Sequence, residues 1–210
     1  MKVGKYYRNR EEHCISGGTG CGVVYLSGCD MHCAYCLVYD ISQEGKGVPY
    51  TPRQLAELLC SLQQRGVSHI SLANVEPSAD EVIEAVAIAR ELGLTVPLLN
   101  NFNGYAPTAF TRRLQPFFQG YIMDFKYADA ALGAHLSAAP DYPRRALANL
   151  ALLSAHYGNN RYDAAGLLQS GVLLRHLILP GMWRNTEDAL RLIAANNPSG
   201  YPLSLLPDFV

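Results

Sequence analysis

The chain has 210 residues, 49% apolar and 17% charged, a composition that suits one ordinary globular core. Its net charge of −1 offers no basic field for nucleic acid and no acidic tail. No apolar run reaches the roughly 18 residues of a membrane span, and the opening MKVGKYYRNREEHC lacks the apolar stretch of an export signal. A cytoplasmic chain without nucleic-acid or membrane partners is expected.

Apolar runs and helical patterns then alternate. GVVYLSG (22–28) reads as a short strand ending in Gly. Thr51-Pro52 opens a helix, with Gln54 placed for a capping box and Leu55, Leu58, Leu59 and Leu62 on one face. HISLA (69–73) is a second strand. Ser78 and Glu81 suggest another capping box before a helix through Val82, Ile83 and Val86. TVPLLN (95–100) is a third strand, and a short helix is expected after Pro107. GYIMDFK (120–126) is a fourth strand, followed by a helix over 143–157. GNNRYDAAG (158–166) reads as an exposed loop. GVLLRHLILPG (171–181), a helix over 186–195 and YPLSLL (201–206) complete the pattern.

Strands alternating with helices imply a parallel sheet. Six such units are too few for a closed eight-fold barrel, which takes about 250 residues. The length fits an α/β fold of a partial, open (β/α)6 barrel, with a doubly wound sheet as the rival. A single domain over 1–210 is expected, with residues 1–21 an N-terminal extension packed on the core. In either fold, chemistry gathers at the C-terminal ends of the strands.

Six cysteines in a chain without an export signal favour metal binding over disulfides, the more so since three fall within CDMHCAYC. Cys29, Cys33 and Cys36 follow the first strand with spacing C-x3-C-x2-C. Three thiolates on one loop can wrap a cubane cluster, and the missing fourth leaves one iron for a non-protein ligand. The competing zinc knuckle needs a second ligand pair that the sequence lacks, and His32 adjoins Cys33 too closely to share its tetrahedron. Cys14, Cys21 and Cys60 read as small buried hydrophobes.

C-x3-C-x-Φ-C, with Tyr35 as the aromatic, resembles the signature of the radical S-adenosylmethionine (SAM) superfamily. EEHCISGGTGCGVVYLSGCDMHCAYCLVYDISQ (11–43), DFKYAD (124–129) and LLRHLILPG (173–181) are similar to the branch related to pyruvate formate-lyase activating enzymes. The similarity runs in order through residues 11–206. It implies a [4Fe–4S] cluster on the three cysteines, SAM on the fourth iron, reductive cleavage of SAM, and hydrogen abstraction from a substrate by the resulting radical. It also implies an oxidoreductase supplied with electrons by a donor such as flavodoxin or ferredoxin.

The resemblance places further residues in the cofactor pocket. Tyr35 lies inside the signature. Glu76, in Asn74-Val75-Glu76-Pro77, stands where such enzymes carry Gly-Gly-Glu-Pro. Its plainer role is a first-turn helix acid. Asn101 and Asn103 stand in an Asp-Thr-Asn-Gly-like position, with a polar turn as the alternative. Asp124 and Lys126 share a strand face, where an inward charged pair is costly unless it has a task. Arg175 matches a SAM carboxylate partner and is suited to bidentate pairing, which sends His176 to the opposite, helix-packed face.

The substrate expected from this resemblance is a polypeptide, as for glycyl radical activases. Small-molecule chemistry and a non-enzymatic iron–sulfur carrier are the alternatives. Related enzymes carry more chain after Leu206-Pro207, including a His where Asp208 and Phe209 stand here. An open barrel side beside the last strand is therefore expected, with Tyr201 to Leu206 as a docking edge for peptide.

Overall fold

The computed structural model describes residues 1–10 and 12–207. The elements in chain order are β1 (Lys2–Asn9), α1 (His13–Ser16), β2 (Cys21–Leu26), α2 (Tyr39–Ser42), β3 (Val48–Pro49), α3 (Pro52–Gln64), β4 (His69–Ala73), α4 (Ala79–Glu91), β5 (Leu98–Phe102) and α5 (Thr108–Leu114). They continue with β6 (Gly120–Asp124), α6 (Ala130–Ser137), α7 (Tyr142–Tyr157), β7 (Arg161–Tyr162), β8 (Leu168–Leu177), α8 (Trp183–Asn196) and β9 (Leu203–Leu206).

Six strands, β2-β4-β5-β6-β8-β9, lie parallel and in sequence order. The order never reverses, so there is no switch point and the doubly wound rival is excluded. β1 pairs antiparallel to β2, with the two-residue β3 beyond it on that side, and among the described residues β9 pairs only with β8 at the other. The result is the expected open (β/α)6 barrel.

Alternation along each strand divides the interior. Val24, Leu26, Leu72, Leu98, Phe102, Met123, Val172 and Leu174 join the helices in the large core. Leu99, Ile122, Leu168 and Leu173 form a smaller cluster inside the barrel, where Ile15 of α1 packs on them. The stripe expected on α3 is observed, since Leu55, Leu58, Leu59 and Leu62 are all buried. Burying each such side chain contributes roughly 1.5–3 kcal/mol. The Thr51–Gln54 capping box is present in both directions.

Several local expectations need correction. Ser78 occupies the N-cap of α4, but its side chain makes no capping hydrogen bond. The Glu81 carboxylate that would complete that box instead pairs with the amino group of Met1. β5 starts at Leu98 rather than Thr95, because Gln63 Oε1 accepts from the amides of Thr95 (2.7 Å) and Val96 (3.0 Å) and keeps them out of the sheet. The loop over 158–166 contains a strand, with β7 forming a hairpin on β8. Asn160 supports it, donating to Val172 O (2.9 Å) and accepting from Val172 N (2.8 Å) as a strand neighbour would. Residues 2–9 are a full strand, paired with β2 along its length and with β3 at Lys2 and Val3. Asp208 and Phe209 lie outside the described residues.

Candidate iron–sulfur site

The cysteine loop leaves the C-terminal end of β2 through Gly28, whose φ of 99° is the left-handed region that favours glycine. His32 N donates to Ser137 O (3.0 Å) and Ala34 N to Leu136 O (2.8 Å), which seats the loop on the C-terminal turn of α6. Met31 is buried, and Gln43 Nε2 donates to its carbonyl (2.8 Å). His32, on this seated loop, is exposed.

Each loop sulfur has a polar partner. Cys29 Sγ accepts from Met31 N (3.5 Å) and Asn103 Nδ2 (3.6 Å). Cys33 Sγ accepts from Ser137 Oγ (3.0 Å), and Cys36 Sγ lies 3.2 Å from Ser42 Oγ. Burial pushes the Cys29 thiol up to about 12, against the lowering influence of the Met31 amide. A metal centre that supplies positive charge would reverse that preference. N–H and O–H donors on sulfur suit thiolates, which only accept.

Among the described residues no three His, Cys, Asp or Glu side chains come together around one metal ion, as a zinc knuckle requires. A cubane, bound through separate irons, needs no such convergence. The donor set therefore fits a cluster on three cysteines. The remaining thiols sit elsewhere. Cys14 packs beside the inner cluster and Cys21 lines the barrel interior. Cys60 is on α3, pointing its thiol at Ala89 O (3.8 Å). Cys21 alone of the three is fully buried.

Other expected site residues divide into two groups. On the rim, Asn103 Nδ2 donates to Asp30 Oδ1 (2.6 Å) as well as to Cys29, while its Oδ1 accepts from Tyr105 N (2.8 Å). Gly104 follows with φ 81°, and a Cβ there would lie 2.6 Å from Asp124 O, so glycine is required. Glu76 lines a cleft with Cys29, Asp30 and Phe110. Asn100 Nδ2 donates to it (3.4 Å). Burial, reinforced by the Asp30 charge, raises the Glu76 carboxyl to about 7. Asn74, in place of the first family glycine, adopts φ 60°, a conformation glycine favours and asparagine tolerates. Its amide donates to Leu26 O (3.0 Å), while Val75 is buried in the core.

Inside the barrel, Asn101 and Arg175 line a polar cavity with Tyr7, Cys21, Tyr25 and Ser71. The Arg175 guanidinium makes a bidentate pair with the Glu12 carboxylate, with Nη2 2.7 Å from Oε2. Asp124 stands between the groups. It ends β6, and Lys126, just past the strand, donates to its Oδ2 at 2.5 Å. Burial alone would lower the Lys126 pKa, but the Asp124 and Cys33 charges carry it above the ordinary lysine value. Tyr142 and Asn185 hold the Lys126 backbone at 2.9 Å each. His176 is a satisfied core histidine, between Phe125 O (2.6 Å) and Thr186 Oγ1 (3.0 Å).

Tyr35 hydrogen-bonds Tyr127 through their hydroxyls, and Tyr127 Oη is 2.5 Å from Ser137 Oγ. The sequence reading missed Glu12, Asp30, Ser42, Tyr127 and Ser137. Glu12, Asp30, Ser42 and Tyr127 at least lie within the segments that resemble radical SAM enzymes. Ser137 carries no such signal.

A family model described as "4Fe-4S single cluster domain" matches residues 16–122, which include all three loop cysteines and span half of the chain. The chain belongs to this 4Fe–4S family. The match settles the metal group as [4Fe–4S]. Among curated proteins, Uncharacterized protein MJ0674 of Methanocaldococcus jannaschii is 22% identical over 165 residues, covering 75% of this chain and 44% of its own. The chain thus spans less than half the length of that relative. Streptococcus suis SuiB superposes with a TM-score of 0.61 at 11% identity, over 89% of this chain and 39% of SuiB, which shows a shared fold. QueE from Escherichia coli aligns over 99% of this chain and 94% of its own at 11% identity, with a TM-score of 0.48. Among the described residues no helix is long and apolar enough to cross a membrane.

Proposed function

We propose that this 4Fe–4S protein is a radical SAM enzyme that reductively cleaves SAM and abstracts hydrogen from a polypeptide, as an activase of a glycyl radical enzyme does. One observation carries the reading. Three cysteines share the rim loop, while Cys14, Cys21 and Cys60 lie on other elements. A four-iron cluster held by three thiolates keeps one iron for SAM. When bound, cluster and SAM supply one-electron cleavage of a carbon–sulfur bond and a carbon radical that takes hydrogen from the substrate.

The chain's own residues orient and enclose. Glu76 faces the cleft beside Cys29 and suits the methionine ammonium group. Arg175 already holds a carboxylate, that of Glu12, and suits the SAM carboxylate when Glu12 yields. Asn103 ties the β5 loop to the cysteine loop, and Tyr35 of the cysteine loop packs against the core. Asn101 lines the polar cavity, Asp124 lies within electrostatic reach of Arg175 and Lys126 within that of Cys33, and the three suit the nucleoside end. The low-dielectric setting strengthens each of these contacts. Flavodoxin or ferredoxin is the proposed electron donor.

The second reading has a small polar molecule as the hydrogen donor; the polar cavity around Tyr25, Ser71 and Asn101, about 60 Å³, would have to widen to admit one. Deuterium transfer into 5′-deoxyadenosine separates the two. Transfer from a labelled polypeptide supports the activase reading, whereas transfer only from labelled small molecules overturns it.

A further inference from the structure

The hydroxyl chain behind Cys33 has a direction. A cluster-bound thiolate carries no proton, so at the 3.0 Å contact Ser137 Oγ must be the donor and Cys33 Sγ the acceptor. The single Ser137 proton is then committed to sulfur. Its oxygen is left to accept from Tyr127 Oη, 2.5 Å away. Tyr35 hydrogen-bonds both Tyr127 and Ser137, so its proton too is directed to this pair and away from bulk solvent. Every O–H along Tyr35, Tyr127 and Ser137 therefore points toward the sulfur.

Hydrogen bonds aligned head to tail polarise one another, and the gain grows where water is excluded. Ser137 is fully buried, as is Tyr127. The backbone fixes the geometry too, because His32 N and Ala34 N bond the carbonyls of Ser137 and Leu136 on either side of Cys33. The other two sulfurs have simpler surroundings. Cys29 receives two longer contacts, of 3.5 and 3.6 Å, from amides, and Cys36 has Ser42 at 3.2 Å. Donors on cluster sulfurs stabilise the more negative, reduced state and so raise the reduction potential.

We infer that Ser137, with Tyr127 and Tyr35 behind it, is a relay that sets the reduction potential of the cluster through the Cys33 sulfur. Ser137 and Tyr127 are positioning residues, since neither touches a reacting atom. The inference rests on the cluster at Cys33 and not on cleavage of SAM, so it stands or falls separately from the proposed activity.

The test is an anaerobic redox titration with dithionite of the reconstituted full chain, followed by electron paramagnetic resonance, with iron content measured in parallel. Ser137→Ala should keep its iron and shift the midpoint to more negative values. The shift should be on the order of a tenfold change in the reduction equilibrium, about 59 mV for one electron. Tyr127→Phe should shift it the same way by less, and the double variant should match Ser137→Ala alone, because Tyr127 acts only through Ser137. Ser137→Thr, which restores a hydroxyl, should return the midpoint toward the parent. Should Ser137→Ala lose its cluster, Tyr127→Phe and Ser137→Thr still decide. An unmoved midpoint in Tyr127→Phe or in an iron-replete Ser137→Ala overturns the relay, as do additive shifts in the double variant.

Discussion

One amide nitrogen of Asn103 serves both Asp30, at 2.6 Å, and Cys29, at 3.6 Å. It is a direct tie between the loop after β5 and the cysteine loop after β2. Removing it leaves the Asp30 carboxylate without that donor and frees one wall of the site. Asn103→Ala should still fold and bind iron. Its charge-transfer absorption should decay several-fold faster than the parent's under an iron chelator. Equal decay rates would show that the tie does not hold the loop.

The Glu12–Arg175 pair is largely but not fully buried, so breaking it from one side strands a poorly solvated charge, at a cost of up to about 3–5 kcal/mol. Glu12→Ala should lower the melting temperature. If Arg175 receives the SAM carboxylate, adding SAM should recover more stability in Glu12→Ala than in the parent. Arg175→Ala and Asp124→Ala should weaken SAM binding with the cluster still present. Unchanged SAM titrations in both of these variants would remove Asp124 and Arg175 from the pocket.

Glu76 makes the pH dependence specific. Its folded pKa of about 7 lies above the ordinary 4.5, so the folded chain keeps a proton that the unfolded chain releases. Stability from this group is present below about pH 4.5 and is lost as pH rises through 7, by at most about 3 kcal/mol. Glu76→Gln should lack that loss and gain on the parent in melts at pH 8. The SAM ammonium needs the ionised carboxylate, so SAM binding through Glu76 should tighten as pH rises through 7 in the parent. In the variant it should stay flat. A parent whose SAM affinity ignores pH over this range contradicts the assignment.

Much of this is legible in the sequence, for local reasons. The six parallel strands are apolar runs bounded by glycine, proline and helical stripes, so short-range pattern defines them. β1 escaped because KVGKYYRN buries little beyond Val3 and shows no apolar face. α6 escaped because its buried residues are Gly133 and Ser137, which make no hydrophobic stripe. β3 and β7, two residues each, exist only through their partners. The cysteines were legible because all three ligands share one loop. Ser137 was not, since its contact with Cys33 spans 104 residues. Arg175 was singled out, but its partner Glu12, 163 residues away, was not.

Leu59 tests the helical layer. It is fully buried on the inward stripe of α3, and Leu59→Ala should cost about 2–5 kcal/mol in denaturant unfolding. A loss under 1 kcal/mol would mean that α3 is not packed as described.

The most direct measurement of the central claim is anaerobic reconstitution followed by reduction in the presence of SAM, with iron and 5′-deoxyadenosine both quantified. About four iron per chain are expected, with broad absorption near 400 nm and release of 5′-deoxyadenosine and methionine. All of these signals should disappear in Cys29→Ala, Cys33→Ala and Cys36→Ala, and persist in Cys60→Ala. A chain that takes up four iron yet leaves SAM intact when reduced, even with candidate substrates present, would contradict the radical SAM reading.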